Sequence, residues 1–173
     1  MSRDRDAADE SSDGSDPDSR RIKVGVGELA VATGDETLTT SGLGSCVAVA
    51  LVDDHASVRG LLHAMLPSAD ERAKATARPA KYVDTGIETL VGELRSAGGS
   101  PTRLEARVAG GAEMLELADA VGPRNVACVE RCLRAAAVPI VASDVGDNVG
   151  RTVRLKPDGQ LSVRAADGFE RTL

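Results

Sequence analysis

Cys46 stands at the end of a glycine-rich turn, GLGSC, and directly before a run of small apolar residues, VAVALV. A thiol is a strong nucleophile only as thiolate, so a working cysteine needs a base within reach and positive backbone dipoles beside it. Gly42 and Gly44 let the chain turn sharply, and the backbone N–H groups of Gly44, Ser45 and Cys46 can converge beside the sulfur, where an oxyanion would form. Of the two histidines, His63 lies in a strand-like run, VRGLLHAMLPS, whereas His55 sits in the polar connection DDHAS, where exposure is expected. If the runs flanking that connection pair as a hairpin, the start of the first lies across from the end of the second, and Cys46 comes close to His63. A base imidazole is held in one tautomer by a partner on its other nitrogen. Thr39, Thr40 and Ser41 precede the turn and offer hydroxyls for this, and no Asp or Asn stands out in their place. These residues allow a cysteine hydrolase. They equally allow a plain core cysteine, the commoner use of a thiol in such a setting.

The elements that must position these groups follow from patterning. With 173 residues and 42% apolar side chains the chain suffices for one domain plus a tail, and with only 1% aromatics its core is built from Val, Leu, Ala and Ile. The opening MSRDRDAADESSDGSDPDSRR has no apolar periodicity and cannot offset its ordering entropy, so residues 1–21 read as a disordered acidic tail. Beyond it, strands are expected at about 22–32, 46–52, 58–66, 103–109, 138–143, 150–156 and 160–165, the last two joined by the hairpin turn KPDGQ. Helical spacing appears in KYVDTGIETLVGELRSAGG, through Val83, Ile87, Leu90, Val91 and Leu94, with Gly98 and Gly99 as the stop. It recurs in GPRNVACVERCLRAAAV through Val126, Val129, Leu133, Ala136 and Ala137, and a shorter helix is expected in GGAEMLELAD. Strands and helices mixed without strict alternation predict an α+β domain, a layered mixed β-sheet with helices packed on it.

Other features narrow the function. A net charge of −6 leaves no basic face for phosphate-driven binding, and Tyr82 and Phe169 are too few for a base-stacking platform, so nucleic acid is not expected as a partner. No apolar run nears the roughly 20 residues of a membrane span, no apolar signal core follows the N-terminal charges, and a cytoplasmic protein without membrane insertion is expected. VGVGELA lacks the third glycine of a dinucleotide fingerprint. Cys128 and Cys132 lie four apart on the second helix without a second pair or a histidine nearby, and read as helix-flank packing rather than metal ligands. Met65 and Leu66 read as core. Arg151 is a candidate contact to an acidic partner surface, and GGAEML and DVGDNVGR read as turns that border a site.

The run TTSGLGSCVAVALVD followed by GLLHAMLPS resembles the signature of the CheD family, chemotaxis proteins that deamidate glutamines on methyl-accepting receptors. The similarity continues through KYVDTGIETLVGEL, RVAGGAEML, VGPRNVACVERCL and VASDVGDNVGRTVRL, over about residues 22 to 165. The resemblance implies a CheD-like deamidase domain over residues 22–173. It makes Cys46 the nucleophile, His63 the base and Thr40 the third member of a triad, with Gly44, Ser45 and Cys46 as backbone oxyanion donors. It implies no cofactor and no metal, methyl-accepting chemotaxis receptors as protein substrates, and a CheC-type phosphatase as a possible partner. An adaptor that mainly binds such a phosphatase, or a thiol hydrolase of another amide or ester, fits the same residues. One departure is Asp147 in DVGDNVGR, where related chains tend to carry a second glycine.

Overall fold

The computed structural model of the chain describes residues 20–70, 78–114 and 120–173. Its layering follows from one hairpin without a polar face. Every residue of β4 (Val47–Asp53) and β5 (Val58–Ala64) is buried. Because successive side chains of a strand point to opposite faces, such a pair must be covered on both. Val47, Val49, Leu51, Leu62 and Ala64 face two helices, whereas Ala48, Ala50, Val52 and Leu61 face a second sheet.

The sheet that contains this hairpin has the order β2-β5-β4-β6-β7, with β2 (Glu28–Ala32), β6 (Glu105–Gly110) and β7 (Ile140–Val145). The other has the order β1-β3-β8-β9-β10, with β1 (Arg21–Lys23), β3 (Thr37–Leu43), β8 (Arg151–Leu155), β9 (Leu161–Ala165) and β10 (Glu170–Thr172). Pairing is antiparallel except for β1 with β3 and β6 with β7. Helices α1 (Val83–Ser96) and α2 (Val121–Ala135) cover the outer face of the β4–β5 sheet. The fold is α+β.

Helix α1 buries Val83, Gly86, Ile87, Leu90 and Leu94, the three-and-four spacing expected of it. Gly60 admits its close approach, since a Cβ there would strike Leu90 Cδ1. The helix stops where Gly98 takes φ +103° and Gly99 donates to the Leu94 carbonyl at 2.9 Å. Helix α2 buries Gly122, Asn125, Cys128, Val129 and Leu133. Ala136 and Ala137 of the expected stripe are exposed, because the helix ends at Ala135.

Several boundaries differ from expectation for identifiable reasons. The strand expected over 22–32 is two strands in different sheets. Val24 still donates to Thr39 in the first sheet, at 2.7 Å, but Gly27, at φ +72°, donates to His63 in the second, at 2.9 Å. The chain crosses between layers at these glycines. Residues 37–43 form β3 although SGLG reads as a turn, because Gly42 sits in an irregularity of the β3–β8 register rather than ending the strand. The short C-terminal strand β10 also lacks a sequence signal. Residues 111–114 of the expected short helix are irregular, and 115–119 lie outside the described residues. Of the expected tail, residues 1–19 lie outside them as well, while Arg21 already pairs with Thr37 in β1. Met65 is 36% exposed rather than core, since β5 ends at Ala64. Among the described residues no helix is long and apolar enough to cross a membrane.

Asp53 closes the far end of the β4–β5 hairpin. Fully buried, it accepts from the N–H of Ala56 at 3.1 Å and of Ser100 at 2.8 Å, and pairs with Arg103 Nη2 at 2.9 Å. The Arg103 guanidinium holds its carboxyl down to about 2. A folded-state value below the unfolded one gives stability that is present above the unfolded pKa and is lost as pH falls through the folded one. Asp53→Ala is therefore expected to cost about 1.5–3 kcal/mol at neutral pH, the range for hydrogen bonds to a charged group. The gap between variant and wild type should close as pH drops from about 4 toward 2, followed by urea unfolding across that range.

Candidate active site

Strands β3 and β5 belong to different sheets but turn side chains into the same interlayer core. On β3 the alternation sends Leu38 and Thr40 inward and leaves Thr39 on the outer face, which singles out Thr40 among the three hydroxyls. On β5 the same alternation turns His63 inward with Leu61. Thr40 Oγ1 and His63 Nδ1 meet at 2.7 Å, with both residues buried.

Cys46 precedes β4 by one residue. The register pairs Ala48 with His63 and Val47 with Ala64, so Cys46 is the diagonal neighbour of His63 on the same face. It is half-buried and packs against the interlayer core. The structure thus joins Thr40 to His63, sets Cys46 diagonally from His63 on one face, and leaves His55 exposed. His63 Nε2 is buried and, among the described residues, carries no hydrogen bond, so the thiol is a neighbour of the ring rather than bonded to it.

Burial governs the charges here. It pushes the Cys46 thiol above its ordinary value, opposed by the residue's own backbone N–H, and pushes His63 below its ordinary value. Both shifts favour the neutral forms. A ring that accepts a proton at Nε2 carries its own on Nδ1 and donates it to Thr40 Oγ1. The arrangement suits a base that draws the thiol proton as the sulfur attacks, not a preformed thiolate–imidazolium pair.

The turn itself is held from one side. Ala112 N–H donates to the Gly44 carbonyl at 2.9 Å, Asn125 Nδ2 to that of Ser45 at 2.9 Å, and Gly111 N–H to that of Cys46 at 2.8 Å. Gly110, at φ +98°, has no room for a side chain because its Cβ would strike the Cys46 carbonyl. The N–H of Gly44 is donated to Gly42 at 3.0 Å, so Gly44 can serve an oxyanion only by giving up that bond.

The loop after β7 braces this region. Gly146 N–H donates to Gly110 at 3.0 Å and Glu113 N–H to Asp147 at 2.8 Å. Arg151, 3% exposed, donates to the carbonyls of Gly146 and Val149 and to the Asp144 carboxylate. Arg151 is an internal brace rather than the partner contact expected of it. Asp147 holds φ +56°, the left-handed region, which glycine enters freely and Asp tolerates.

Asn125 escapes the sequence reading. Its signal was a polar residue at a buried position of the α2 stripe, one turn before Cys128 and Val129. Cys128 is core and donates its thiol to the Pro67 carbonyl at 3.2 Å, and Cys132, 3.8 Å from it, is pushed up to about 11 by burial and by that neighbour. Among the described residues no cluster of His, Cys, Asp and Glu has the arrangement of a metal site.

The molecule is thus an α+β domain with a hydroxyl, an imidazole and a thiol gathered where the chain crosses between two sheets. The family model described as CheD chemotactic sensory transduction matches residues 65–165, and the chain belongs to the CheD family. It is 40% identical over 145 residues to a probable chemoreceptor glutamine deamidase CheD from Oceanobacillus iheyensis, covering 81% of this chain and 87% of that one. A protein of the same description from Haloarcula marismortui is 41% identical, with 88% of this chain and 90% of that one covered. The chemoreceptor glutamine deamidase CheD of Halalkalibacterium halodurans is 39% identical, with 88% and 98% covered.

The neutral pair has a direct readout. Iodoacetamide is expected to label Cys46 slowly at pH 7 and progressively faster as pH rises past the ordinary thiol value of about 8.5. Cys128, which is buried, should stay unlabelled until the protein unfolds, and Cys132, whose thiol is pushed up to about 11, should react more slowly than Cys46. Peptide mass spectrometry follows each site, and fast labelling of Cys46 that is level from pH 6 to 8 would instead indicate a preformed ion pair.

Proposed function

We propose that the chain is a chemoreceptor glutamine deamidase that converts glutamine side chains of methyl-accepting receptors to glutamate and ammonia through a thioester on Cys46. The observation that carries this reading is the buried Thr40–His63 hydrogen bond, which occupies Nδ1 and leaves Nε2 for the thiol just before β4. The printed descriptions of the relatives support the substrate.

In this mechanism His63 Nε2 takes the proton of Cys46 as the sulfur attacks the carboxamide carbon. The tetrahedral intermediate collapses when the imidazolium returns the proton to the leaving nitrogen, and ammonia departs. Water, deprotonated by His63, then attacks the thioester, releasing the glutamate carboxylate and restoring the thiol. The N–H groups of Ser45 and Cys46 face the oxyanion, each such donor contributing about 2.7–4 kcal/mol in comparable sites. Because burial lowers the His63 pKa, the base stays neutral to lower pH than a free histidine, so the acid limb of kcat/KM falls below pH 6.5. A CheC-type phosphatase that regulates the reaction would have to reach the same turn, and would then compete with receptor.

Incubating the chain with a receptor cytoplasmic fragment should convert glutamines to glutamates, read by peptide mass spectrometry and by ammonia release. Cys46→Ala should abolish conversion and leave the fold intact. His63→Ala should lose about 10²- to 10⁴-fold in rate, the range of general acid–base catalysis, and Thr40→Ala less because it only orients the ring. Receptor binding without conversion would favour the adaptor reading; a Thr40→Ala variant at full rate would show that another group holds the imidazole.

A further inference from the structure

The established features of the site do not say what aims the backbone donors. The carbonyls of Gly44, Ser45 and Cys46 are consecutive, and each is held by a donor from the segment between β6 and the first turns of α2: Ala112 N–H, Asn125 Nδ2 and Gly111 N–H. These donors form one surface, since Gly122 of α2 packs so closely on the Ala112 carbonyl that a Cβ would not fit. In a planar trans peptide the C=O of one residue and the N–H of the next point in opposite directions. Holding three carbonyls toward α2 therefore turns the N–H groups of Ser45 and Cys46 away from it. Among the described residues no backbone carbonyl takes either of these two N–H groups.

Two of the three donors are backbone, and the third is a side chain. Asn125 is wholly buried, and besides Ser45 its Nδ2 donates to the Met65 carbonyl at 3.0 Å. One amide group thus ties the residue before Cys46 to the strand end two residues past His63. Among the described residues its buried Oδ1 has no hydrogen-bond partner, a cost the protein bears to keep a double donor at this point.

We infer that Asn125 is a positioning residue for the reaction: it fixes the Ser45–Cys46 peptide plane and thereby aims the Cys46 N–H at the oxyanion. This rests on the deamidase reading above. It predicts a loss confined to the transition state, because the donor gains its partner only when the carbonyl oxygen becomes charged.

The test uses Asn125→Leu, which keeps the branched shape in a bulkier side chain and removes both donors, and Asn125→Ala, which removes them without crowding. With a receptor fragment as substrate, kcat should fall about 10- to 100-fold with KM changed less than about twofold, the signature of an interaction made only in the transition state. Iodoacetamide alkylation of Cys46 forms no oxyanion, so its rate should stay within about twofold of wild type. A folded variant with kcat near wild type overturns the inference. So does one in which kcat, alkylation rate and melting temperature fall together, since that marks a general loosening. A wild-type chain inactive on receptor fragments would sink the deamidase reading instead, and the Cys46 amide resonance then decides. Its displacement in Asn125→Leu, with the Gly111 amide unmoved, supports the positioning role; a Cys46 amide that stays in place overturns it.

Discussion

A hydrogen bond between two sheets, Thr40 to His63, is the constraint around which the domain is arranged. For a strand of one layer to reach a histidine of the other, the sheets must approach closely and exclude water. The small side chains Ala48, Ala50 and Ala109 line that interface beside Leu38, Leu43, Leu61 and Val153. A chain almost without aromatics is suited to such an interface, since bulky rings there would hold the layers apart. The helices complete the arrangement from outside, burying the opposite face of β4 and β5 so that the strand bearing the base is sandwiched on both sides.

Burial also sets the chemistry. In a wet cleft a cysteine and a histidine can settle as an ion pair. Here desolvation acts on both partners in the direction of neutrality, upward for the thiol and downward for the imidazole. A neutral thiol is a poor nucleophile at rest and is protected from adventitious oxidation and alkylation. In the proposed reaction its activation awaits a bound carbonyl, and the stabilisation of charge passes to the backbone of the glycine turn. The braces around that turn run from Gly110 and Gly111 through the exposed Asp147 loop to the buried Arg151.

Much of this was legible in the sequence. The continuous apolar run of β4, the strand of His63 and the connection between them set a hairpin, and period-two alternation then placed Cys46 and His63 on one face. The family resemblance singled out Thr40, which alternation along β3 explains afterwards. What was not legible depends on contacts distant in sequence. The run 22–32 reads as one strand because alternation carries no mark of a change of sheet, and only the Gly27 bond to His63 reveals it. Asn125 serves the turn eighty residues before it, a separation no local pattern records. Arg151 reads as a surface charge by composition, but its guanidinium is consumed by loop carbonyls.

The position of His63 within its sheet differs from that of Cys46 in mechanical terms. Strand β5 lies between β2 and β4, so the histidine is paired with Glu28 on one side and Ala48 on the other. Cys46 lies outside the ladder, one residue before β4 begins. Amides of a central strand exchange with solvent only in openings that approach global unfolding, whereas those of a turn exchange through local fluctuation. His63 is thus anchored by backbone pairing on both sides, whereas Cys46 is anchored by its own carbonyl to Gly111 and by the Ser45 carbonyl to Asn125. In the reaction proposed above, the proton acceptor is anchored by two strands and the sulfur by one segment, so a change in α2 reaches the sulfur before the ring.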